Sequence, residues 1–129
     1  MLVELHSTGD FEKRTGRDAS VSMEILDNAH LEEMQKSADR ASALMKTLGH
    51  KGRLMILCQL ATGEKSVGEL SRLLDIPQSP LSQHLSRMRG EGLVEPRRDA
   101  QTVYYSLTSG EARAVIECLY ELFCADDNT

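Results

Sequence analysis

Long hydrophobic runs are missing from this chain. The longest unbroken apolar stretch is Leu54 to Cys58, far short of the roughly 20 residues that cross a bilayer. The first residues, Met1 to His6, show no basic region followed by an apolar block. No signal peptide is readable, and the expected compartment is the cytoplasm with no membrane partner. Tryptophan is absent, though apolar content is ordinary at 40%. Cysteine is scarce: three residues, an odd number, which fits free thiols in a reducing compartment better than a disulfide scaffold. A surplus of positive charge is missing as well. The net charge is −5, which counts against nucleic-acid binding, where a basic face is expected.

The charge is uneven, however. From Pro77 to Arg98 four arginines (Arg87, Arg89, Arg97, Arg98) stand against two acids (Glu91, Glu95), a net of +2. Acids elsewhere repel unspecific contact while a local positive face can still meet phosphate. Within that segment Pro77 pushes the residue before it out of the α region. Ser79 is expected to cap a new helix, with Pro80 at its first position. Leu81, Leu85 and Met88 then share one face. Ser79, Gln83, Ser86 and Arg87 share the opposite face, with Ser82 on its flank. That face carries no carboxylate. Its amide, hydroxyl and guanidinium groups can pair with base edges and phosphates. A solvated amphipathic helix would show the same pattern, so the neighbouring segments decide.

At 129 residues the chain is one domain with room for a tail. Residues 1–20 are polar, near neutral and read as a flexible N-terminal arm. Residues 21–125 form the folded domain, and 126–129 a frayed tail. From Ser22 to Leu48 the pattern is helical, as one long helix or a short one followed by a longer one. Leu31, Met34, Ala38, Ala41, Met45 and Leu48 repeat at three and four, a seam that wants a partner surface, more often a dimer's. Gly49 fits the left-handed position past that helix. His50 to Ala61 is apolar on most sides and should be buried. Cys58 lies within this surface, where a free cysteine ordinarily acts as a small hydrophobe. Gly63 closes the helix.

Ser66-Val67-Gly68-Glu69 carries the reciprocal cap pattern ahead of Leu70, Leu73 and Leu74. A short helix here, a tight connection through Asp75-Ile76-Pro77, and the helix after it make a helix-turn-helix. Gly90 and Gly92 end the second of these. Leu93 to Arg98 and Thr102 to Leu107 follow as a β-hairpin. Pro96 restricts its first strand to an edge. In the second, Val103, Tyr105 and Leu107 alternate as in a half-buried strand. Arg97, Arg98 and Gln101 lie near the tip, either as edge protection or as a wing reaching phosphate or the minor groove. Thr108-Ser109-Gly110-Glu111 is a second reciprocal cap, opening a last helix to about Ala125 with Ala112, Val115, Ile116, Leu119, Leu122 and Phe123 as its stripe.

This order is mainly α with a small β-hairpin, a winged helix-turn-helix. With Leu48-Gly49-His50-Lys51-Gly52-Arg53-Leu54 and Leu81-Ser82-Gln83-His84-Leu85, it resembles the ArsR/SmtB family of bacterial transcriptional repressors over about residues 35–124. Gly52 departs from the proline common there. The resemblance implies a homodimer through the first and last helices on double-stranded operator DNA with two-fold-related half-sites. It places Gln78, Ser79, Ser82, Gln83 and His84 near bases, and Arg87, Arg97, Arg98 and Gln101 near phosphate or the minor groove. No enzyme activity and no cofactor are expected.

Many relatives of this kind sense metals, through a cysteine-rich third helix or Asp/His ligands on the last helix. Here neither helix carries a histidine and the third carries no cysteine. No tetrahedral site of about four ligands is recognisable, and no metal is expected. Cys58 and Cys124 instead match the two cysteines of the sulfide- and persulfide-responsive branch. That match implies sensing thiols, joined by a disulfide or polysulfide on exposure to reactive sulfur species, with loss of DNA affinity. Cys118, six residues before Cys124, is about 9 Å away along the axis and faces another direction; it reads as packing. A metal- or metalloid-responsive repressor is the alternative. A thiol oxidoreductase is disfavoured by the lack of a Cys-x-x-Cys motif, and an antagonist of another DNA-binding protein stays open.

Overall fold

The structure, a computed structural model, describes residues 28–125. The expected arm and tail lie outside the described residues. The described residues divide into two units, the first ending at Ser42 and the second beginning at Ala43. Helix α1, Asn28–Leu48, crosses that division. Its part in the first unit leaves Leu31 and Met34 almost half exposed.

The second unit holds the end of α1 and then α2 (Lys51–Ala61), β1 (Lys65–Ser66), α3 (Val67–Leu74), α4 (Gln78–Gly90), β2 (Val94–Asp99), β3 (Thr102–Leu107) and α5 (Gly110–Phe123). The leucine and methionine pattern is what closes it. Ile56, Leu57 and Leu60 of α2, Leu70 of α3, and Leu81, Leu85 and Met88 of α4 are fully buried, together with Val94 of β2 and Ala112 of α5. Each large side chain among them contributes about 1.5–3 kcal/mol by leaving water. Met55 alone of the α2 apolar residues is clearly exposed.

Local chemistry sets the element boundaries. Ser66 and Glu69 form the reciprocal cap: Ser66 Oγ accepts from the Glu69 N–H, and a Glu69 carboxylate oxygen accepts from the Ser66 N–H, both at 3.0 Å. Asp75 closes α3 in the left-handed conformation. Helix α4 starts earlier than the Ser-Pro signal predicts. Pro77 is its N-cap residue, and the Pro77 carbonyl accepts from the Leu81 N–H at 3.1 Å. Pro80 therefore sits in the first turn, one of the positions whose N–H has no helical partner. At α5 the cap is Ser109, which accepts from Ala112 N–H. The Thr108-to-Glu111 reciprocal box is displaced by one residue, so that an alanine occupies the position the carboxylate would need. Gly49 does not take the left-handed conformation. Its N–H still bonds back to the Met45 carbonyl at 2.9 Å, and Arg53 donates to the Thr47 and Lys46 carbonyls, closing α1 from the side.

The hairpin becomes a three-stranded sheet of order β1-β3-β2. The two-residue strand β1 is too short to leave a signal in the sequence. Pro96 lies in the edge strand, as its missing donor requires. Strand β3 is central, so Tyr104 and Ser106 are half-buried beside Val103 and Tyr105, and the expected alternation is blurred.

Candidate nucleic-acid interface and thiol pair

Leu81, Leu85 and Met88 press one side of α4 into the core. That leaves Gln78, Ser79, Ser82, Gln83, Ser86 and Arg87 exposed on the other. These are the helix positions proposed from the sequence, held on a rigid element. His84 departs from the group. It is half-buried, its ring 4.7 Å from that of His50 at a 56° tilt. His50 caps α2, its Nδ1 accepting from the Gly52 N–H at 3.1 Å. Burial, then the nearby His50, Arg53 and Arg87, hold the His84 imidazole below its ordinary pKa. Arg87 donates to Glu91 at 3.1 Å, and the other Glu91 oxygen accepts from the buried Thr47 hydroxyl at 2.6 Å. The last turn of α4 is thereby tied to the end of α1.

On the wing, Arg98 and Gln101 are exposed. Arg97 is exposed but engaged. Its Nε and a terminal nitrogen donate to the two Glu64 carboxylate oxygens at 3.0 and 2.9 Å, and its guanidinium lies 4.7 Å over the Tyr104 ring. That bond holds the Glu64 carboxyl below, and the Arg97 guanidinium above, their usual ranges. The Glu64–Arg97 and Thr47–Glu91 contacts were invisible to sequence reasoning, because the partners lie 33 and 44 residues apart; the Arg87–Glu91 pair, four residues apart at the end of α4, is local.

All three cysteines are free thiols. Cys58 is half-buried on α2; Cys118 and Cys124 are exposed on and at the end of α5. Burial, and then the charge of Cys124, push the Cys58 thiol upward. Arg113 of α5 donates to the Ala61 carbonyl at the end of α2 at 3.1 Å, pinning the two helices together. Between them runs a groove of about 350 Å³ with Cys58, Thr62, Ile116 and Tyr120 in its walls. Among the described residues no three His, Cys, Asp or Glu side chains gather where they could hold a metal ion, and no helix is long and apolar enough to cross a membrane.

Residues 50–96, from the start of α2 to the first half of β2, match the model of the bacterial regulatory proteins of the arsR family. The chain is 50% identical over 95 residues to the transcriptional activator HlyU of Vibrio cholerae, covering 74% of this chain and 88% of that protein. The chain belongs to the ArsR family. A second member, the biofilm growth-associated repressor of Agrobacterium fabrum, is 47% identical over 97 residues, 75% of this chain and 83% of that protein. The solved structure of reduced HlyU from Vibrio cholerae superposes with a TM-score of 0.69 at 49% identity, over 72% of this chain and 98% of that one. This ArsR-family chain is a winged-helix transcriptional regulator that binds DNA, and not an enzyme.

Proposed function

We propose that the chain is a homodimeric repressor that leaves its operator when Cys58 and Cys124 become covalently joined. The observation that carries this is the placement of the thiols. They sit on two helices pinned to each other, and Cys58 shares a groove with Tyr120 and Glu121, one turn before Cys124. The chemistry balances without a further oxidant. The Cys124 thiolate attacks the outer sulfur of an organic persulfide, RSSH, taking that sulfur and its hydrogen and releasing RS⁻. The Cys58 thiolate then attacks the Cys124 sulfur and expels HS⁻, leaving a disulfide. A donor that transfers two sulfurs leaves one between them, which relaxes the limit of about 7 Å between Cα atoms for a direct bond.

Exposed apolar residues on both expected dimer helices support a two-fold assembly: Leu31, Met34 and Met45 on α1, and Tyr120, Leu122 and Phe123 on α5. Paired recognition helices would read half-sites about 10 base pairs apart. Gln83 would contact a base, Arg87 and Arg98 phosphates, and the protein would meet its DNA in the cytoplasm. Since one relative is an activator and another a repressor, the same docking also serves activation by displacing another DNA-binding protein.

The test is operator binding by the reduced protein, Cys58→Ser and Cys124→Ser, each with and without an organic persulfide, with intact mass read in parallel. The reduced wild type should bind and lose affinity as its mass shows a bridge, while both variants stay bound. Retained affinity in a fully bridged protein would falsify the switch.

A further inference from the structure

Arg97 lies in edge strand β2, directly opposite Tyr104 in central strand β3. Tyr104 is in turn opposite Ser66 in β1 on its other side. Glu64 immediately precedes β1. The guanidinium therefore crosses the face of the central strand, over its tyrosine ring, and meets a carboxylate at the far edge through two hydrogen bonds. One side chain spans all three strands. A bidentate arginine–carboxylate pair has a fixed plane and fixed direction, and the ring beneath it adds cation–π attraction. An isolated exposed ion pair contributes little; this one is constrained at three points.

We propose that Glu64 and Arg97 form a latch that sets the position of the wing, and that Arg97 is a positioning residue rather than a phosphate ligand. Two of the five Arg97 N–H donors, on Nε and one terminal nitrogen, are taken by Glu64, which fixes the plane of the guanidinium. Arg98, next along the edge strand, and Gln101 at the tip are left to meet DNA. Glu64 also belongs to the turn that follows α2, whose last residue Ala61 and C-cap Thr62 wall the groove beside Cys58. Movement of the α2 end thus reaches strand β3 through the β1 pairing and edge strand β2 through the ion pair. The latch rests on the proposed docking of the wing, and its test separates the two.

Four variants of the full chain suffice: R98Q, R97E, E64R and the charge swap E64R/R97E. Three quantities are read in the reduced protein: amide exchange of residues 94–107, the ratio of operator to unrelated-duplex affinity, and the salt slope of binding. Both single reversals put like charges together, so they should lose wing protection and lower the affinity ratio about tenfold. The swap should regain both, with a salt slope close to wild type. R98Q should keep wing protection while its slope falls by about one. If the swap stays as weak as R97E with a reduced slope while R98Q behaves as expected, Arg97 is a phosphate ligand and the latch is wrong. If R98Q binds like wild type, wing docking itself fails and the latch has no bearing on DNA.

Discussion

A thiol reacts as its thiolate, so its surroundings decide when it reacts. Cys124 is exposed at the end of α5, while Cys58 is half-buried and its thiol pushed above the ordinary value by burial and by Cys124. Near neutral pH the first attack on a reagent should come from Cys124, and the Cys58 rate should go on rising beyond the ordinary thiol range of about 8.5. Mass mapping of iodoacetamide-treated protein across that pH range checks it; equal rates for the two at neutral pH would remove the division of roles.

His84 calls for the opposite direction. Its folded-state pKa is depressed, so the unfolded chain binds the proton more readily. The stability this contributes is present above the ordinary histidine value of about 6.5 and is lost as pH falls toward the lower folded value. A denaturant midpoint that drops from about pH 7.5 to about pH 5.5, and drops less in His84→Gln, is the expected outcome. An unchanged pH slope in that variant would mean that other groups dominate acid sensitivity.

At the scale of elements, the helix-turn-helix is held by one face of α4. Leu85→Ala should destabilise the domain by about 2–5 kcal/mol, read by thermal or denaturant unfolding. The turn between β2 and β3 points the other way. Ala100 is held at φ 57°, a conformation that costs a non-glycine residue about 1–2 kcal/mol. Ala100→Gly should raise stability, by less than that full amount because glycine loses more backbone freedom on folding. A lower midpoint would show that this side chain makes a compensating contact. What the sequence could and could not announce follows the same physics. The spacing of Leu81, Leu85 and Met88 and the Ser66/Glu69 pair are local patterns, and they gave the helix-turn-helix directly. The start of α4, the Ser109 cap and the conformation of Gly49 depend on how the chain joins neighbouring elements, so the first shifted by two residues, the second by one, and the third changed form. β1, the Glu64–Arg97 pair and the Thr47–Glu91 bond arise only once distant segments meet, and nothing in their own neighbourhoods marks them.

For the whole molecule, the proposed dimer turns on the exposed apolar end of α5. Leu122 and Phe123 are 64% and 72% exposed on the last turn of α5, immediately before Cys124. Stacking such residues against a second copy removes apolar area from water, which is the main drive of association. A bridge from Cys124 back to Cys58 would pull on that same turn and, in the proposed dimer, would couple the covalent state to the subunit contact. Replacing Phe123 with aspartate buries a charge in any such contact at a cost of several kcal/mol. The variant should therefore sediment as a monomer at micromolar concentration, fold with an unchanged circular dichroism spectrum, and lose most of its operator affinity, because one subunit holds only one half-site. Retained dimer and retained affinity together would place the subunit contact elsewhere and detach the thiols from the spacing of the reading helices.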